Sequence, residues 1–165
     1  MTTWITTDFH LGHHFAIETG WREPNFESKI VSWYSKNVKD GDTVINLGDF
    51  SFTNKETTLK LLEGLKGRAI LVRGNHDSRG INWYYDCGFS FVCDNFAWHY
   101  KGKNIIFSHR PYPIELMSNY DINIHGHMHT KKEFVSDKHY LVCIEDINYH
   151  MVNLDAIIYK VCGCR

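Results

Sequence analysis

Proline is scarce, three in 165 residues, and no stretch is dominated by glycine, serine or one sign of charge. That excludes a low-complexity linker or a charged disordered tail, so the chain reads as one compact domain over residues 1–165. A chain of this length buries roughly two-thirds of the surface it exposes unfolded, enough for a core without staples. Cysteines are few and unpaired in pattern: five in all, no C-x-x-C, and only Cys162 and Cys164 close together. A disulfide framework and a thiolate metal site are thereby excluded, and the five read as reduced thiols, with the closing "CGCR" as a frayed end. No window approaches the eighteen or so apolar residues that span a bilayer, and "MTTWITTDFH" has neither a basic nor an apolar leader region. The expectation is a cytoplasmic protein with no membrane partner. Net charge is −1, and the lysines are dispersed (Lys36, Lys39, Lys101, Lys103, Lys131, Lys132). The chain therefore lacks the dense basic block that duplex nucleic acid requires.

Histidine is what the sequence has in excess, with eleven, and their placement carries the information. Apolar, β-branched runs repeatedly end in a polar turn marked by glycine. The runs are Trp4–Thr7 before Asp8 and His10, Thr43–Leu47 before Asp49, Ala69–Arg73 before "GNHD", Asn104–Ser108 before His109, and Asp121–Ile124 before "HGHMH". Between the first three lie segments of helical spacing. Ile30, Trp33, Tyr34 and Val38 share one face, and Leu59, Leu62 and Leu65 another behind a polar start. Strand–helix alternation predicts parallel pairing. The second half, with a Lys101–Gly102 turn and short runs at Phe89–Cys93, Phe96–Tyr100, Tyr140–Ile144 and Ile157–Val161, reads as richer in antiparallel strands. The fold class is α/β (α+β), two stacked sheets flanked by helices.

Parallel strands gather functional groups at their carboxyl ends, so the five turns are expected to converge. Residues two apart in an extended segment face the same way, which lets Asp8 and His10, or His127 and His129, grip one ion. Asp8, His10, Asp49, Asn75, His109, His127 and His129 together are too many ligands for a single ion. They suit two divalent ions bridged by Asp49, an arrangement that clamps both oxygens of an in-line phosphoryl displacement. The oxygen and nitrogen donors favour Mn, with Fe, Ni or Zn as alternatives. His76 follows Asn75 without being needed as a ligand, and a histidine titrating near neutrality suits the acid that protonates a leaving alkoxide. In this reading Gly74 permits the turn, and Asp77 either orients His76 or anchors the turn, the structural role being favoured. His125 is a packed residue. His13, at the mouth of the site, and Arg22, by charge and position, are candidate substrate contacts.

The blocks "DFH", "GD", "GNHD", "SH" and "GHMH", in that order, resemble the signature of the calcineurin-like metallophosphoesterase superfamily. "DFHLGHHFAI", "DTVINLGDFSF" and the closing "INYHMVNLDAI" look like a small bacterial and phage branch of it. The resemblance implies a β-sandwich flanked by helices. It also implies one ion on Asp8, His10, Asp49 and His129, a second on Asp49, Asn75, His109 and His127, and His76 as proton donor. Where protein phosphatases of the superfamily continue past the GD block to an Asp and a phosphate-gripping Arg, this chain has "FSFTNKE", which disfavours that activity. The superfamily's repair nucleases carry a capping domain that 165 residues do not accommodate. The expected function is a phosphodiesterase acting on a small or single-stranded, nucleotide-like substrate. A phosphomonoesterase, a nuclease and a non-catalytic scaffold are the alternatives.

Overall fold

The computed structural model describes residues 1–131 and 133–163. Lys132 and Cys164 lie outside the described residues, as does the side chain of Cys162. Four strands, β1 (Thr3–Thr6), β2 (Thr43–Asn46), β3 (Arg68–Val72) and β4 (Phe91–Cys93), run parallel. They form one sheet in the order β4-β3-β2-β1-β9, completed by the antiparallel edge strand β9 (Val152–Asn153). The second sheet has the order β5-β6-β7-β8, from β5 (Asn95–Tyr100), β6 (Lys103–Ser108), β7 (Ile122–His125) and β8 (His139–Leu141). Helices α1 (His14–Glu18), α2 (Phe26–Asn37), α3 (Lys55–Glu63), α4 (Ile81–Asp86) and α5 (Leu154–Cys162) flank the sheets, with a 3-10 turn at Ile114–Asn119.

Covered on both faces, the central strands are rich in apolar residues, and β2 and β7 are buried along their whole length. One hydrophobic cluster draws on both sheets: Ile5, Ile45 and Leu71 from the first, Ile105, Phe107, Ile122 and Ile124 from the second. The predicted faces of α2 and α3 turn inward through Ile30, Tyr34 and Leu62. The start of α3 is capped by Asn54, whose side chain accepts the Thr57 N–H at 2.9 Å. Lys101 and Gly102, both at positive φ (49° and 76°), close the β5–β6 hairpin as a two-residue turn that matches the strand twist. Cys87, Cys93 and Cys143 are free thiols. No described helix is long and apolar enough to cross a membrane.

One expectation about the second half is corrected. Ile157–Val161 belongs to α5, not to a strand. Leu154, Ile157 and Ile158 stand at helical spacing on one buried face, and the Asn153 side chain caps the helix by accepting the Asp155 N–H at 2.8 Å. As expected, the antiparallel pairs among the described residues, β5–β6 and β1–β9, both use strands of the second half, which also holds the parallel pairs β6–β7 and β7–β8. The Tyr140–Ile144 run supplies only the end of β8.

This topology sends the chain out of β1, β2, β3, β6 and β7 at neighbouring points, and the exits are locked together. Asp8 N donates to Gly48 O (2.8 Å), His10 N to Asp49 O (2.9 Å) and Gly126 N to His109 O (3.0 Å). Two glycines permit the approach, and neither has a left-handed φ. A Cβ on Gly74 would meet the Asp49 backbone nitrogen at 2.6 Å, so its role is to admit Asp49 and not, as the sequence suggested, to make a turn. A Cβ on Gly126 would meet Asp8 Oδ2 at 2.6 Å and collide with the Thr7 hydroxyl. Gly126→Ala is accordingly expected to destabilise by about 1–3 kcal/mol through forced displacement of β7. At Gly80 an added methyl would meet nothing within 4 Å, which makes that position the control. Thermal melting of Gly126→Ala beside Gly80→Ala measures the difference.

Candidate metal centre

Each candidate ligand stands one to four residues past the end of its strand, but the backbone there is not extended. Asp8, His10, Asp49, His127 and His129 all take positive φ, at 50°, 49°, 53°, 69° and 47°. Left-handed non-glycine residues cost about 1–2 kcal/mol each and persist only where surrounding contacts enforce them. The expectation that alternate residues face one ion because the segment is extended is therefore corrected. Asp8 and His10 do converge, with His129, on one point; His127 is separated from His129 and joins Asp49 and His109 at another.

With the histidines neutral, most of the atoms that face one another within each group are acceptors. His109 Nδ1 donates to Leu47 O at 2.7 Å, which leaves a bare lone pair on Nε2. That lone pair faces Asn75 Oδ1 at 3.1 Å, His127 Nδ1 at 3.1 Å and Asp49 Oδ2 at 3.4 Å. In the first group, His129 Nδ1 donates to Glu145 Oε1 at 2.9 Å, so its Nε2 presents a lone pair 3.6 Å from Asp8 Oδ1. His10 Nε2 is 3.6 Å from the same oxygen, and both atoms are buried without a hydrogen-bond partner. Buried acceptors facing acceptors are costly unless a cation lies between them. The donor set, imidazole nitrogens and carboxylate or amide oxygens without a thiolate, fits a divalent ion.

Asp49 lies between the two groups. Its Oδ2 is 3.4 Å from His109 Nε2 and 3.7 Å from His10 Nε2, while Oδ1 accepts the His76 N–H at 2.8 Å. Burial alone would raise its carboxyl, but a protonated His109, which donates to it, and the His76 amide outweigh burial and bring the pKa down to about 2. The His76 ring is half-exposed, with Nε2 4.0 Å from Asp49 Oδ2, and it faces an open cleft of about 880 Å³. His13, Trp21, Arg110 and Met128 line that cleft with the metal groups as its floor.

The sequence matches the family model described as calcineurin-like phosphoesterase across residues 1–158. The chain belongs to the calcineurin-like phosphoesterases. It is similar to an uncharacterized protein of Methanocaldococcus jannaschii, 29% identical, over 94% of this chain and 88% of that one. Among solved structures, a protein of unknown function from Aquifex aeolicus superposes with a TM-score of 0.81 at 28% identity, covering 96% of this chain and 98% of that one. A novel archaeal phosphodiesterase (TM-score 0.53, 24% identity, 87% and 82% coverage) shares the fold. So does a phosphoesterase from E. coli (0.51, 13%, 87% and 78%). Membership makes the chain a phosphoester hydrolase of a family that works with divalent metal ions.

Arg22 is not a substrate contact in this phosphoesterase; its side chain is wholly buried. The guanidinium donates to Phe9 O (2.8 Å), Asp8 O (2.6 Å) and Glu145 Oε1 (2.6 Å), with the Phe26 ring centre 4.9 Å away. It props the left-handed Asp8–His10 turn from beneath. Asp77 anchors the third turn, accepting N–H bonds from Asp49 (2.7 Å), Gly74 (2.8 Å) and Phe50 (3.2 Å). His125 is packed, and burial pushes its pKa down to about 4. His13 lines the cleft.

Glu145 escaped the sequence reading. Its one signal is the signal that marked Asp8 and Asp49, an acid closing an apolar run, here Val142–Ile144. Its carboxylate joins Arg22 to His129, fixing the imidazole tautomer and strengthening Nε2 as a donor. Burial would raise its pKa, but the His129 bond and Arg22 hold it at about 2. Glu145→Gln is expected to weaken metal binding by roughly 10- to 100-fold, measured by metal titration. A carboxylate held below its ordinary 4.5 stabilises the fold above that pH, and the contribution is lost as pH falls toward about 2. The melting difference between wild type and Glu145→Gln should shrink across that window.

Proposed function

We propose that this chain is a dinuclear phosphodiesterase acting on small or single-stranded, nucleotide-like diesters. The observation that carries the reading is the place of Asp49 Oδ2, within 3.7 Å of His10 Nε2 in one ligand group and 3.4 Å of His109 Nε2 in the other. One oxygen shared by two groups is the arrangement expected of a bridging carboxylate. Asp8, His10, Asp49 and His129 would hold one ion, and Asp49, Asn75, His109 and His127 the other. Bound divalent ions, Mn favoured over Fe, Ni or Zn on donor hardness, supply a nucleophilic water at neutral pH and charge for the phosphoryl oxygens.

The protein's own groups do the rest. His76 Nε2 reaches over the cleft floor and donates the proton that the departing alkoxide takes up. Asp49 Oδ1 holds the His76 backbone through its N–H, so the acid is fixed to the bridging residue. His13 stands where a phosphate oxygen would enter. Selectivity for a diester follows from where the arginines are: Arg22 is engaged beneath the site, and Asp49 is followed by Phe50, Ser51 and Phe52. A dianionic monoester gains most from a fixed arginine, a monoanionic diester least. The archaeal phosphodiesterase that shares the fold supports the reading only as far as a common scaffold can. Near-neutral charge and an open cleft favour a short or single-stranded substrate over duplex.

Arg110 favours a second reading, a phosphomonoesterase, since its exposed guanidinium is 3.4 Å from Asn75 Oδ1 at the cleft edge. The test is hydrolysis with Mn²⁺ at one pH. The expected outcome is a higher kcat/KM for bis-nitrophenyl phosphate than for nitrophenyl phosphate, and the reverse order moves the protein to the monoesterase. For His76→Gln, kcat is expected to fall by roughly 10²–10⁴ with alkoxide leaving groups and much less with nitrophenolate. Metal content should stay unchanged, and equal losses for both leaving groups remove His76 from the role of acid.

A further inference from the structure

Around His76 and His13 stand two half-exposed aromatic rings outside the core cluster, Phe52 and Trp21. Phe52 leaves β2 on the loop past Asp49, and its backbone is fixed by donation of its N–H to Leu11 O at 2.8 Å. Yet its ring is 41% exposed, where Phe50 two residues earlier is buried. That ring stacks on His13 with centroids 4.3 Å apart and planes 16° apart, and meets the His76 ring at 5.1 Å. Beyond it opens a recess of about 260 Å³ lined by Ser51, Phe52, Thr53, His76, Arg79 and Trp83. Leaving apolar rings in water is unfavourable, and a concentration of them at a reaction centre marks a surface that a ligand covers.

Resting on the diesterase reading above, we infer that Phe52, stacked on His13, is a platform for the base of a nucleoside leaving group, which extends into the recess beyond His76. The position follows from the acid. A proton passes from His76 to the leaving oxygen across about 2.6–3.2 Å, so the remainder of the leaving group must lie within reach of the neighbouring ring. A flat ring gains there by stacking, which alanine substitutions in other proteins value at roughly 5- to 150-fold in affinity per base. The recess distinguishes a nucleobase from a plain aryl group. Ser51, Thr53 and Arg79 offer hydroxyl and guanidinium partners to polar base edges, next to the face of Trp83.

The experiment compares wild type, Phe52→Ser and Phe52→Tyr, all Mn-loaded, on a dinucleoside monophosphate and on a glycerol phosphodiester, both with alkoxide leaving groups. Phe52→Ser should raise KM for the dinucleotide by roughly 10- to 100-fold more than for the glycerol diester, and be rescued by Phe52→Tyr. Equal shifts for both substrates, or none for either, overturn the platform and leave the diesterase reading standing. Binding of adenosine 5′-monophosphate against ribose 5-phosphate needs no turnover, so it decides the matter even if wild type cleaves neither diester, the result that defeats the diesterase reading itself. Adenosine 5′-monophosphate should bind roughly 10-fold more tightly to wild type, with the advantage lost in Phe52→Ser. Equal binding of the two by wild type rejects the platform.

Discussion

At the exits of the two sheets, Nε2 of neutral His109 faces the acceptors Asn75 Oδ1 and Asp49 Oδ2, with His127 Nδ1 beside them. A few ångströms away His10 Nε2, Asp8 Oδ1 and the bare nitrogen of His129 repeat the pattern. Packing acceptors against acceptors in a buried place runs against every rule of polar burial unless positive charge is brought to them. The hydrogen bonds to Leu47 and Glu145 set the tautomers in which neutral His109 and His129 turn bare nitrogens toward this place. The rest of the site is best understood as what holds these atoms in that unfavourable array.

Three devices do so. Glycines 74 and 126 let the turns approach until the Asp49 backbone and the Asp8 carboxylate occupy the space of a side chain. Buried charges brace the turns from behind: Asp77 accepts from three backbone N–H groups, and Arg22 donates to two carbonyls and the Glu145 carboxylate. Left-handed backbone at five ligands is the strain these braces sustain. The first sheet supplies Asp8, His10, Asp49 and Asn75, and the second supplies His109, His127 and His129. The contact between sheets at this end therefore closes through His127 N to Asp8 Oδ2 at 3.0 Å. The metal groups and the sandwich are one cooperative construction, and binding free energy at the site acts on the fold as well.

What was readable in the chain and what was not divide along physical lines. Asp8, Asp49, Asn75 and His109 were legible because each closely follows an apolar run, and a polar residue at a strand end has few places to go. The α2 and α3 faces were legible because a 3.6-residue period is a local property. Ile157–Val161 was misread since a short apolar run suits a strand or a helix, and the cap at Asn153 and the burial of Leu154 decide between them. Arg22 was misread because charge alone does not tell a surface cation from a buried one. Its guanidinium is assigned by Glu145, 123 residues away in sequence.

By itself, then, the sequence determined the chemistry on offer: seven nitrogen and oxygen donors at the ends of five strands, a histidine beside them, no thiolate among them, and no arginine after Asp49. Those are properties of residue type and local period, and they survive without knowledge of the fold. That Arg22 and Glu145 stand behind the site, that Phe52 is left in the open, and how closely His10 and His129 approach Asp8, and His109 and His127 approach Asp49, were decided only by tertiary structure. Each depends on where a left-handed turn or a parallel crossover sends a side chain. A change of one φ from extended to left-handed turns the side chain and the chain beyond it in a new direction, and only contacts between distant segments hold a residue in that region.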